Sequence, residues 1–120
     1  MKHCDVKSLP HNGVSAIAIA RNTLESINES TYQGNGDPLV CELEGEFVQA
    51  LELSVGPVII DIQETRLHFM NHANVAVLSR LIRLLRIRKR CGCICSSIDV
   101  KSLLDCCGMN KICSTADNRD

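Results

Sequence analysis

The chain has 120 residues, 45% apolar and 22% charged, with a formal net charge of -1. That length supports one domain with a core of ordinary size, and the composition excludes a disordered or fibrous chain. The small net charge excludes a global pull toward nucleic acid or membrane, and an aromatic content of 2% without Trp leaves little from which to build a base-stacking surface.

The opening "MKHCDVKSLPHNG" lacks the apolar stretch of a signal peptide. No later run approaches the roughly 20 apolar residues of a membrane-spanning helix. A cytoplasmic protein without membrane insertion is therefore expected. The eight cysteines are read as reduced thiols rather than a disulfide scaffold, and the sequon "NES" at residues 28–30 then has no role.

Residues 3–8 and 14–20 can both run extended, and the Asn-Gly of "PHNG" between them signals a tight hairpin, so an antiparallel pair opens the fold. The near-continuous apolar run "VSAIAIA" reads as a strand covered on both faces. Residues 21–37 are polar and end in Gly34, Gly36 and Asp37. A connection this long is either mobile or holds a helical turn of its own. Asp37-Pro38 then starts a helix, with Asp as the cap and Pro at the first position. Val40, Leu43, Phe47 and Leu51 recur at helical spacing, and Glu42, Glu44, Glu46 and Glu52 make its other faces acidic.

Gly56-Pro57 stops this helix, and "VIIDI" follows as a central buried strand. A second helix over roughly 72–90 places Val75, Leu78, Leu81, Ile82 and Leu85 on one face and gathers Arg80, Arg83, Arg86, Arg88, Lys89 and Arg90 toward its end. "CICS" is a further strand, "DVKSLLDCC" a third helix closed by Gly108, and Ile112-Cys113 a last strand. The order ββαβαβαβ predicts an α/β fold: a mixed sheet of four to five strands with an N-terminal antiparallel hairpin, right-handed crossovers and three to four helices.

Ligands and partners of open α/β sheets gather beyond the carboxyl ends of the strands. The segment after "VIIDI" leads there and ends in a polar knot, Asn71-His72-Ala73-Asn74, at the start of the second helix, where unpaired N–H groups favour anions. Read from the residues alone, the knot is either a helix start and nothing more or a contact site. Asp61 in "VIIDI" lacks the second acidic cluster a Mg²⁺ site needs and reads as a strand-end residue bonded to the following loop.

The spacing of "CGCIC" puts Cys91, Cys93 and Cys95 on one strand face, where packing beneath helices is the favoured reading. A thiol switch at Cys91 beside Arg88, Lys89 and Arg90 is the alternative. The basic run is read first as a solvated helix face. A protein partner comes second, with the acidic first helix facing it within the domain or across a homodimer, and nucleic acid is not expected. No zinc-ligand spacing joins His3, His11, His68 and His72, and there is no phosphate loop or nucleophile elbow. Binding without catalysis, cofactor or metal is expected.

"PVIIDIQETRLHFMNHANVAVLSRLIRLLRIRKRCG" followed by "SIDVKSLLDCCGMNKIC" resembles the STAS domain family of anti-sigma factor antagonists. The resemblance covers residues 57–113, and the N-terminal half is similar in element order only. In that family a strand like "VVLDLS" leads to "F-I-D-S-S-G-L-G-V-L", whose middle Ser is phosphorylated by a partner kinase. Unmodified members bind a kinase-like anti-sigma factor, and the phosphate releases them.

"F-M-N-H-A-N-V-A-V-L" aligns to that motif without gaps, with Asn71 at the Asp, His72 at the phosphorylated Ser, Ala73 at the next Ser and Asn74 at the Gly. No hydroxyl remains between Thr65 and Ser79, and Ser79 lies about two turns inside the helix. The resemblance implies a non-catalytic interaction module in a partner-switching system. Its partner would be an anti-sigma factor or kinase-like protein, contacted by Asp61, Phe69, Met70, Asn71, His72, Ala73, Asn74 and Val75. With His72 at the phosphoacceptor position, the switch by added charge is expected to be missing. Two alternatives stand beside this: a STAS-type accessory subunit of a lipid or anion transporter, and a cysteine-based redox or metal sensor.

Overall fold

In a computed structural model, which describes residues 2–9 and 13–117, β1 (Cys4–Leu9) and β2 (Val14–Ile19) pair antiparallel with Val6 opposite Ile17. The hairpin residues Pro10, His11 and Asn12 lie outside the described residues. Next come a short helix α1 (Arg21–Glu25) and a turn of 3₁₀ helix at Gly34–Gly36. The long connection thus holds helical structure of its own. Asp37 caps α2 (Pro38–Glu52): its Oδ1 accepts from the N–H of Leu39 and Val40, and Oδ2 accepts from Gln33. Val40, Leu43, Phe47 and Leu51 all point inward.

The turn out of α2 requires Gly56. Its φ is +77°, and a Cβ there would sit 2.1 Å from the carbonyl oxygen of Gly13, a contact no side chain can make. From that turn β3 (Val58–Asp61) enters the centre of a five-stranded sheet ordered β1-β2-β3-β4-β5, followed by α3 (His72–Ile87), β4 (Gly92–Cys95), α4 (Ile98–Cys106) and β5 (Ser114–Ala116). The fold is α/β, antiparallel between β1 and β2 and parallel from β2 to β5.

Two boundaries differ from the sequence reading. The second helix ends at Ile87 instead of 90, because Lys89 adopts φ +56° and the N–H groups of Lys89 and Arg90 turn back to the carbonyls of Arg86 and Leu85. This is a Schellman ending with lysine where glycine is usual, so the pattern carried no stop signal. The last strand is Ser114–Ala116, because Met109–Lys111 form a 3₁₀ turn that carries Ile112 and Cys113 past the sheet.

Because β2, β3, β4 and β5 are adjacent in chain order, right-handed crossovers put every following helix on the same side. Burial agrees. One apolar cluster joins Leu24 of α1, Phe47 of α2, Leu78 of α3 and Leu104 of α4 to Ile17, Ile60 and Ile94, which the register aligns in one row of one sheet face. The opposite face carries Asp5, Ala18, Asp61, Cys95 and Ala116 in one row and Lys7, Ala16, Ile59, Cys93 and Ser114 in the next. No helix among the described residues covers it.

That corrects two expectations: β2 is helix-covered on one face only, and "CGCIC" does not lie beneath helices. Cys91 precedes β4 and is exposed, Cys93 is half-buried, and Cys95 is buried beside Gln63, whose Nε2 donates to its sulfur at 3.3 Å.

Candidate functional site

The ridge that leaves β3 is held by its own backbone. Asp61 Oδ1 accepts from the N–H of Gln63 at 3.0 Å, folding the chain back at once. Ile62 is buried and donates to the Cys95 carbonyl, which ties the start of the ridge to the end of β4. Thr65 closes a turn onto Ile62, and Leu67–Phe69 forms a 3₁₀ turn that brings Met70 N–H to the Leu67 carbonyl.

The connection between β2 and α2 supplies a second frame. Glu25 receives the N–H of Arg66 at 2.9 Å and its guanidinium at 3.0 Å, while the same guanidinium sits 4.6 Å above the Phe69 ring. The hydrogen bonds from Arg66 hold the Glu25 carboxyl below its usual 4.5. Asn71 Nδ2 donates to the carbonyls of Ile27 and Phe69, both at 3.1 Å. Glu29 Oε1 accepts from the N–H of His72 at 3.3 Å. Glu25, Ile27 and Glu29 thus brace the ridge from more than forty positions away in sequence, and no local pattern marked them.

At the helix start Asn71 Oδ1 accepts from Ala73 at 2.8 Å and Asn74 at 3.1 Å, and Asn74 Oδ1 accepts from Asn71 N–H at 2.8 Å. This is a reciprocal capping box, with Asn74 in the role usually held by Glu or Gln. It overturns the expectation of an open anion site. The N–H of His72 goes to Glu29, those of Ala73 and Asn74 go to Asn71, and a carboxylate of the chain already stands at the dipole's positive end.

The eight residues expected to meet a partner therefore divide. Asn74 and Ala73 are buried, at 0% and 4% exposure, and serve the helix start. Asn71 is half-buried and committed to the cap. Asp61 points to the helix-free sheet face, where it borders an open cleft of about 540 Å³ together with Lys2, Asp5, Lys7 and Glu64. Phe69, Met70 and Val75 are half-buried, and His72 is exposed. Met70, His72 and Val75 share a groove of about 290 Å³ with Glu29, Leu103 and Cys107, the last two from α4 and its end. Sequence reasoning missed Leu103 and Cys107; the one available signal was that both lie after a strand whose end meets the same side of the sheet.

Elsewhere, Arg80 binds Glu44 through Nε at 2.7 Å, so the acidic and basic helices meet within the chain at this point. His3 joins three elements: Nδ1 lies 2.6 Å from Thr23 Oγ1, Nε2 lies 3.1 Å from Glu42, and its backbone N–H donates to Glu46 at 2.7 Å. Burial pushes the neighbouring Cys4 thiol up to about 12, with the Glu46 charge adding to it, and burial also raises Cys93 and Cys113. Buried thiols in this state are poor nucleophiles. Among the described residues no group of three or more His, Cys, Asp or Glu is placed to hold a metal ion, and no helix is long and apolar enough to cross a membrane. Compared with models of known protein families, with curated proteins and with solved structures, the chain matches none.

Proposed function

We propose that the chain is a non-catalytic protein-interaction module resembling an anti-sigma factor antagonist, which docks an anti-sigma or kinase-like partner through the ridge at residues 64–72 and the groove beside it. The observation that carries the reading is the braced ridge: Leu67 (44% exposed), His68 and His72 face solvent on a backbone fixed by Glu25, Ile27 and Glu29. A fixed backbone lowers the ordering cost of association, and a shallow apolar groove next to it suits a protein side chain better than an enclosed small molecule.

The site is not switched by a Ser or Thr phosphate in this proposal. Thr65 is 2% exposed, and the half-buried Ser79 hydroxyl donates to the Val75 carbonyl at 3.2 Å within α3. His72 occupies the exposed position without a hydroxyl.

Titration of the full chain against anti-sigma and kinase-like proteins of the same genome tests this. Leu67→Ala combined with His72→Ala should weaken binding roughly tenfold or more, as for exposed anchors at an interface centre, and leave the fold intact. Undiminished binding by the double variant refutes the docking surface. Phosphate found by mass spectrometry on residues 65–79 after incubation with the kinase refutes the missing switch. Co-purification with a permease or transport ATPase in place of a regulator would move the reading to a transporter subunit.

A further inference from the structure

The connections that enter β3, β4 and β5 meet at the end of the sheet opposite the ridge. Across residues 52–57, 83–92 and 111–114 the chain places Arg83, Arg86, Arg88, Lys89, Arg90 and Lys111 against a single acid, Glu52. The same connections carry Leu53, Val55, Ile87 and Ile112, between 37% and 75% exposed. Four of the six large apolar side chains exposed among the described residues are therefore gathered where the cations are.

We infer that this end of the molecule docks peripherally on an anionic lipid bilayer. Ile87 stands between Arg86 and Arg88, and Ile112 follows Lys111, so aliphatic tips and cations interleave. A protein interface gathers its apolar residues in a core and its charges at the rim, whereas here cations and aliphatic tips alternate along the chain, which argues against a protein occupant. A nucleic acid would want aromatic rings for stacking, and Tyr32, Phe47 and Phe69 all lie on other segments. A bilayer interface takes both at once: apolar tips below the phosphates, ammonium and guanidinium groups among them.

The structure keeps four of these six cations outward and exposed. Arg90 is spent on the carbonyls of Gly56 and Leu51 and the Ser54 hydroxyl, and Arg86 reaches the Ile112 carbonyl. Arg83, Arg88, Lys89 and Lys111 remain exposed, Arg88 with one nitrogen 3.4 Å from the Leu84 carbonyl. Docked this way, the molecule would turn its ridge toward the aqueous side, so both surfaces can be used together.

Sedimentation of the full chain with phosphatidylcholine vesicles, with and without one-third phosphatidylglycerol, tests the inference. Binding should require the anionic lipid and fall at high salt. Each cation near the surface contributes roughly fivefold, so Arg83→Gln, Arg88→Gln and Lys89→Gln together should lower partitioning roughly hundredfold. Val55→Ser with Ile87→Ser should lower it roughly tenfold through lost apolar contact, which gives a second reading if the charge variant fails to fold. Equal binding to neutral vesicles, indifference to both variants, or binding to polyglutamate or DNA without binding to vesicles overturns the inference. So does salt-sensitive self-association that accounts for the pelleting without lipid.

Discussion

The two ends of the parallel strands are built on opposite plans. At the carboxyl end, the segments 20–30, 61–71 and 96–99 carry Glu25, Glu29, Asp61, Glu64 and Asp99, against Arg21 and Arg66, which both pair with Glu25. Asp61, Glu25 and Glu29 accept from backbone N–H groups of the ridge, and those bonds hold its shape. At the amino end the cations mostly face outward: Arg90 is the one used at three points, while Arg86 and Arg88 each touch a single backbone carbonyl from an exposed position. Polar residues spent on internal bonds fix a shape; polar residues left outside make a field. A protein-docking reading suits the first end and a charged-surface reading suits the second.

The sharpest way to break that comparison is to remove an internal bond at the ridge. Asn74 is fully buried, accepts from Asn71 N–H and donates to the Phe69 carbonyl at 2.9 Å. Asn74→Ala leaves the Asn71 N–H unpaired, removes one of the two donors to the Phe69 carbonyl and opens the capping box, for an expected loss of about 2–3 kcal/mol in denaturant unfolding. His72→Ala at the neighbouring exposed position should stay within about 0.5 kcal/mol. Equal effects would mean that the ridge is not held as described.

The same test at the other end uses Arg90. Its guanidinium ties the last turn of α2 to the Gly56 turn, where a cation also meets the helix's negative end. Arg90→Ala should cost about 1–2 kcal/mol, while Arg88→Ala, on the exposed side, should cost less than about 0.5 kcal/mol. Parity between these two would erase the distinction between a structural and an outward-facing arginine.

The division between the ends was only partly legible in the chain. Asp37-Pro38 and the helix start at the 71–74 knot were readable because a cap is chemistry within four residues. β3 was readable because the β-branched run Val58-Ile59-Ile60 followed the Gly56-Pro57 break directly. What pattern could not reveal was strand order, and strand order decides that all helices share one face and that Cys93 and Cys95 lie on the other. Nor could it show the pairing of Arg66 with Glu25 across 41 positions or of His72 with Glu29 across 43. Those contacts exist because β2 and β3 are neighbours, which brings the end of one strand beside the start of the next connection. The rule that partners gather beyond the carboxyl ends of the strands led to the ridge, but it did not reveal that Ala73 and Asn74, at the helix start that follows it, are buried.

A smaller effect, confined to the ridge, follows from the depressed Glu25 carboxyl. Because Arg66 lowers its folded value below the usual 4.5, the contact stabilises fully above that pH and is lost as pH falls through the folded value. The protection of the Arg66 amide and its neighbours, taken relative to the intrinsic exchange rate at each pH, should therefore fall as the solution is acidified below 4.5, and Glu25→Gln should leave that protection low at every pH. Glu46 and Asp105 are lowered too: at Glu46 burial pushes upward, but the N–H groups of His3 and Cys4 and the His3 charge together outweigh it, and Asp105 is lowered by Lys101 and Thr115. Global unfolding would mix all three. An exchange profile at residues 64–71 that ignores both acid and the substitution would show that Glu25 does not brace the ridge.

The least effect, and the one of opposite sign, belongs to Lys89. At φ +56° it bears the left-handed strain that glycine avoids, while its side chain faces solvent. Relief of that strain is worth about 1–2 kcal/mol, and the added freedom of glycine in the unfolded chain takes back about 0.5–1 kcal/mol. Lys89→Gly should therefore raise stability by about 0.5–1 kcal/mol and at the same time remove one cation from the basic end. A gain in unfolding free energy together with weaker binding to anionic vesicles would mean that a lysine is kept there for its charge at the expense of the fold. A loss of stability would mean that Lys89 makes contacts that hold the helix end, and the contrast between an inward-bonded end and an outward-facing one would have to be redrawn at that residue.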